Sequence, residues 1–170
     1  MKSAFQIPFV GLKLGTHEFE IDVNETFFDS LPYSPIDRGS LKVWLNLEKK
    51  ETMLIANFEC FGHIEQICSR CNELALVEID AEMHVIYKFG HEEEETNDDN
   101  LVIIKYDSYE LDISHQVYEM ITLAIPSRPV HEDGACEEEM VTLIEKYHRK
   151  AENKNDNDID PRWSVLKSLN

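Results

Sequence analysis

Four cysteines and seven histidines are the most chemically versatile side chains of this chain. Cys68-Ser69-Arg70-Cys71 is a Cys-x-x-Cys pair, a spacing that lets two thiolates face one metal ion from a tight turn. A structural tetrahedral site needs two further ligands. His131 and Cys136, separated by four residues, offer them from the other half of the chain. Cys68, Cys71, His131 and Cys136 together define a candidate Cys3His zinc site, which would staple the two halves of the sequence. The competing reading is four reduced thiols packed as small hydrophobes. Cys60 falls in an apolar alternation and is expected in the core, and His63 is a spare ligand candidate. A thioredoxin-like role is disfavoured, because the pair does not open a helix in a strand-helix-strand pattern. Arg70, between the two cysteines, is a candidate contact to a phosphate or a carboxylate of a partner.

Other catalytic patterns are thin. The sequence holds no G-x-S-x-G, no phosphate-binding P-loop and no G-x-G-x-x-G, and its six glycines are scattered. A nucleophilic Cys136 can be paired with a histidine on paper, but nothing positions such a pair. Clustered carboxylates could serve a metal-dependent nuclease, yet none has an apolar frame. The expectation is a protein that is not an enzyme.

The elements that must position the cysteines come from hydrophobic periodicity. Leu41, Val43, Leu45 and Leu47 alternate, as do Leu54, Ala56, Phe58 and Cys60, with a turn at 49–51 between them. The longest alternation runs from Val77 to Phe89, opposite Glu78, Asp80, Glu82, His84 and Lys88. One apolar and one wet face favour an antiparallel sheet. Residues 101–106 suggest another strand, and 32–39 a proline-rich loop. Ile113, Val117, Met120, Ile121 and Ala124 form one helical stripe, capped by Asp112 or Ser114 and ended by Pro126. Met140, Leu143, Ile144 and Tyr147 form a second. Asp160-Pro161 is a strong start signal for a short terminal helix carrying Arg162, Trp163, Leu166 and Leu169. The expected fold is α+β: a twisted antiparallel sheet from the first two-thirds of the chain, with two or three C-terminal helices. Residues 1–150 are expected to form one domain, 151–159 an acidic Asn/Asp-rich linker and 160–170 the terminal helix.

Charge narrows the function. The chain has 16 basic and 34 acidic residues, net −18. A general nucleic-acid coat is excluded by that sign, and adsorption to an anionic membrane is disfavoured. Residues 1–90 carry 14 acidic and 8 basic side chains, and 91–170 carry 20 and 8. A local basic patch around Lys42, Lys49, Lys50 and Arg70 is the remaining route to RNA. No apolar run is long enough to span a bilayer, and no secretory leader is recognisable. A cytoplasmic protein with reduced thiols is expected.

Two motifs in order carry a family resemblance. Cys68-Ser69-Arg70-Cys71 resembles the Cys-x-Arg-Cys turn of the YceD family, the bacterial large ribosomal RNA subunit accumulation proteins. Asp160-Pro161-Arg162-Trp163-Ser164-Val165-Leu166-Lys167 is similar to that family's ending. The order of strands, cysteine pair, acidic insertion, helix and second metal-type motif also fits, from about Leu41 onward. Where many relatives carry several cysteines, this chain has His131-Glu132-Asp133-Gly134-Ala135-Cys136. The resemblance implies a role in large-subunit rRNA accumulation, hence ribosome assembly, and strengthens the case for zinc. Basic ribosomal proteins or assembly factors are the expected partners, with rRNA contacted indirectly if at all, and neither DNA nor membrane involved. Arg70, Arg162 and Trp163 are the candidate partner contacts, although a lone terminal tryptophan more often anchors its own helix. The rival reading is a zinc-type protein-interaction adaptor unrelated to ribosomes.

Overall fold

The computed structural model describes residues 4–31, 34–90, 98 and 100–147. The expected linker at 151–159 and the terminal helix with Arg162 and Trp163 lie outside these residues. The chain forms two compact units, Met1–Cys136 and Glu137–Asn170.

The first unit is built on a five-stranded sheet in the order β2-β3-β4-β5-β6. Its strands are β2 (Gly15–Val23), β3 (Gly39–Lys49), β4 (Met53–Ile67), β5 (Leu74–Gly90) and β6 (Leu101–Lys105). Each long strand alternates between a buried and an exposed side chain, as the period-2 pattern requires. Leu41, Val43, Leu45, Leu47, Leu54, Ala56, Phe58, Cys60, Val77, Ile79, Val85 and Tyr87 face the core. Burying a Leu, Ile or Phe side chain contributes roughly 1.5–3 kcal/mol. The sheet register is therefore strongly specified, since a one-residue slip would turn this whole set to water.

The other side of the core comes from the chain ends of the unit. β1 (Gln6–Ile7) pairs antiparallel with β7 (Leu111–Asp112), and α2 (Ser114–Ala124) turns Val117, Met120 and Ile121 inward. Asp112 Oδ1 accepts from the Ser114 backbone N–H at 2.9 Å, although Ile113 is the cap residue itself. Pro126 follows the helix end at Ile125, as its missing N–H dictates. A short helix, α1 (Glu25–Asp29), begins where the Asn24 side chain accepts from Thr26 N–H, and it buries Phe27 and Phe28.

Two features differ from the sequence expectation. The sheet is dominated by antiparallel pairs, but β6 runs parallel to β5. Parallel pairing normally needs a long crossover. Here β6 starts beside Ile86, four residues before the end of β5 at Gly90. Both β2 and α1 lie outside the periodic segments identified from sequence. The second unit contains α3 (Glu138–Tyr147), with Glu138 and Glu139 in the first turn. None of the residues of α3 is buried, and Leu143, Ile144 and Tyr147 of its stripe are exposed.

Candidate metal centre

The Cys-x-x-Cys pair occupies the turn between β4 and β5, the tip of the longest hairpin. Ile67 and Leu74 form the last register pair before it. The turn is closed by backbone bonds from Cys68 N–H to Glu73 O (2.8 Å) and from Asn72 N–H to Cys68 O (2.9 Å). Asn72 takes a positive φ of 63°, a conformation that asparagine tolerates better than most residues. The Arg70 backbone N–H points at Cys68 Sγ at 3.4 Å. This arrangement turns both thiols to one side of the hairpin tip.

The second pair arrives on the irregular segment after α2. Ser69 N–H donates to Pro129 O at 2.8 Å and fastens that segment to the hairpin tip. Gly134, at φ +85°, lets the chain fold back so that Cys136 returns to His131. One ligand atom from each of Cys68, Cys71, His131 and Cys136 then lies within 4.8 Å of all the others. Cys68 Sγ is 3.9 Å from Cys136 Sγ, Cys71 Sγ is 3.3 Å from His131 Nδ1, and Cys136 Sγ is 3.8 Å from the same nitrogen. A tetrahedron with Zn–S of about 2.3 Å and Zn–N of about 2.05 Å has S···S edges of about 3.8 Å and S···N edges of about 3.6 Å. The three separations match those edges. All four cysteines are free, and 3.9 Å is far from a sulfur–sulfur bond of about 2.05 Å.

His131 is oriented for ligation by its other nitrogen. Nε2–H donates to the Leu74 carbonyl at 2.9 Å. A carbonyl only accepts, so Nε2 carries the proton and Nδ1 presents its lone pair to the three sulfurs. This partner is a backbone atom and leaves no trace in the sequence. Arg70 turns its guanidinium to the same cluster, with Nη1 3.9 Å from Cys136 Sγ. Three thiolates around a divalent cation leave one net negative charge, and Arg70 is placed to offset it.

The electrostatics fit an anion-rich centre. Desolvation resists ionisation of Cys68. Hydrogen bonding with the backbone of Cys71, Arg70 and His131 and with the Cys71 side chain outweighs it and lowers Cys68 to about 5. The Leu74 carbonyl, then the Cys68 thiolate, raises His131. Burial first, then its sulfur neighbours, pushes Cys136 up. Among the described residues this donor set fits zinc, and the chemistry it would supply is a structural cross-link between the hairpin tip and the segment after α2.

Other expected site residues are not in this cluster. Cys60 is buried among core side chains, and burial raises its thiol to about 11. His63 is exposed on β4. The basic patch does not form. Lys42 is paired with Glu20, and Lys50 sits 3.3 Å from Glu48. Lys49 Nζ donates to the carbonyls of Phe9 and Leu12, each at 2.8 Å. Lys49 ends β3 and Lys50 lies in the turn before β4, whereas Arg70 lies beyond the far end of β4, a strand of 15 residues or about 50 Å at ~3.3 Å per residue.

No curated protein and no solved structure matches the chain. A family model described as "Large ribosomal RNA subunit accumulation protein YceD" matches residues 56–170, a span that contains Cys68, Cys71, His131 and Cys136. The match covers more than half of the 170 residues, and the chain belongs to the YceD family.

Proposed function

We propose that this protein is a non-catalytic, cytoplasmic factor that supports large-subunit ribosomal RNA accumulation by acting in ribosome assembly. The observation that carries the reading is the family match over residues 56–170. In this reading Cys68, Cys71, His131 and Cys136 hold one structural zinc ion. The ion keeps the β4–β5 hairpin tip in one conformation, and Arg70 compensates the charge of the centre.

The action on RNA is indirect. A net charge of −18 opposes phosphate binding, and Lys42, Lys49 and Lys50 are each engaged within the protein. Basic ribosomal proteins or other assembly factors are the partners that this charge would steer toward the surface. Arg162 and Trp163 remain candidates for that contact from the C-terminal segment.

The test compares ribosomal particles and both major rRNAs on sucrose gradients from cells with and without the protein. A selective loss of mature large-subunit rRNA, with the protein on precursor particles, supports the reading. Unchanged rRNA, with the protein confined to particle-free fractions, overturns it in favour of an adaptor unrelated to ribosomes.

A further inference from the structure

On the face of the sheet turned away from the core, the described side chains form an ordered and exposed pattern. Trp44 is 41% exposed at the middle of β3, and Phe61 is 55% exposed on β4. They are diagonal neighbours, because Trp44 pairs with Glu59 and Phe61 with Lys42. Diagonal aromatic side chains are within reach of each other.

Carboxylates surround this pair. The register places Glu20, Trp44, Glu59 and Glu82 in one row across four strands. The next row runs Asp22, Lys42, Phe61 and Asp80, where Lys42 is already bound to Glu20. An indole thus has a glutamate directly opposite on each side. Glu59 also faces Glu82, and like charges directly opposite on a sheet are destabilising. A cleft of ≈450 Å³ runs beside the indole, lined by Glu18, Glu20, Trp44, Asn46, Asn57 and Glu59.

We infer that this sheet face is a docking site for an arginine-rich segment of a basic protein, with one guanidinium stacked on Trp44, paired with Glu59, and displacing Lys42 from its exposed pair with Glu20. Three features select that occupant. The planar guanidinium stacks on aromatic faces and pairs with two carboxylates at once, which a lysine ammonium cannot do equally well. Cations over Glu59 and Glu82 remove their mutual repulsion. A phosphate backbone would meet Glu18, Asp22, Glu59, Asp80 and Glu82 here, with Lys42 already paired with Glu20, which rules against RNA as the occupant. The inference rests on the assembly-factor reading for the source of the segment, but not for the chemistry of the surface.

The experiment uses the full chain with Trp163→Phe, so that Trp44 is the one remaining tryptophan of two. The probe is a capped peptide of alternating glycine and arginine with four arginines. Expected results are saturable quenching of Trp44 and weaker binding when lysine replaces arginine. Trp44→Leu, followed by anisotropy of labelled peptide, is expected to weaken binding roughly two- to fivefold, the range for an exposed cation–π contact. Glu59→Gln weakens binding as well, whereas Glu138→Gln on α3 leaves it unchanged. Both Trp44 and Glu59 are exposed on the sheet surface, so neither change removes a core contact. Equal affinity for all variants would mean that net charge alone attracts the peptide and would overturn the inference. Absence of saturable binding at low salt, or preferential capture of a single-stranded RNA, would do the same. Loss of large-subunit rRNA on deletion, with no peptide binding, would sink the docking site and leave the assembly reading intact. Peptide binding with unchanged rRNA would do the reverse.

Discussion

Replacing His131 with alanine, or stripping metal with a strong chelator, tests how much the centre stabilises the first unit. The cross-link joins residues 71 and 131, 60 positions apart. A chain-entropy model gives such a loop roughly 4 kcal/mol of stabilisation. Zinc-finger peptides gain far more, about 10–16 kcal/mol, because they have no fold without the ion. Here the sheet core contains none of the four ligands, so the smaller figure governs. At roughly 2–4 °C per kcal/mol for a chain of this size, the loss lowers the melting temperature by about 8–16 °C. The assay is thermal unfolding by circular dichroism in reducing buffer, with and without chelator, for wild type and His131→Ala. Chelator is expected to lower the wild-type midpoint to that of the variant and to leave the variant unmoved. Identical midpoints for wild type with and without chelator, after demonstrated metal removal, would refute the cross-link reasoning.

Other outcomes follow from particular residues. Burial raises Cys60 from 9.0 to about 11, so the fold favours its neutral thiol. That stability is fully present below pH 9 and is lost as pH rises through 11, amounting to about 2–3 kcal/mol. Denaturant titrations from pH 8 to 11.5 should show the wild-type advantage over Cys60→Ala shrinking across that window. Tyr87 buries a hydroxyl for which the described residues offer no hydrogen-bond partner. Tyr87→Phe should therefore be neutral or stabilising by about 1 kcal/mol in urea unfolding. Gly62 has φ +154°, and an added Cβ would lie 2.3 Å from Ser40 O and 2.6 Å from Leu41 Cα. Gly62→Ala should cost at least about 2 kcal/mol by the same assay, because the obstruction is backbone rather than a movable side chain. Arg70→Ala should speed loss of zinc to a chromophoric chelator by removing the cation beside Cys136.

The sheet was legible where burial is one-sided. The alternations of β3, β4 and β5 mark both the strands and their inward faces, since one side of each strand is polar. β2 carries the same signal in Phe19, Ile21 and Val23 against Glu18, Glu20 and Asp22, but it is shorter and flanked by glycine and asparagine. Helix α1 has only five residues, too few for any helical period to show, and its signal is the Asn24 cap alone. The parallel direction of β6 depends on where its pairing begins along β5, which no local pattern encodes. The four side chains that the fold brings together, Cys68, Cys71, His131 and Cys136, were readable from residue type and spacing. Their support was not, because the Leu74 carbonyl and the Ser69–Pro129 bond are backbone contacts made only after folding. The lysines mislead for a related reason. A run such as Lys49-Lys50 looks like free positive charge until folding brings carbonyls and Glu48 against it.

The claim that links this fold to its role is that Cys68, Cys71, His131 and Cys136 hold one zinc ion at the tip of the β4–β5 hairpin. X-ray absorption at the zinc edge, on protein purified without added metal, tests it most directly. The account predicts one zinc per chain with three sulfur neighbours at about 2.3 Å and one nitrogen at about 2.0–2.1 Å. It also predicts that Cys71→Ser lowers the sulfur count or empties the site. Substoichiometric metal, or a shell of oxygen and nitrogen without sulfur, would contradict it.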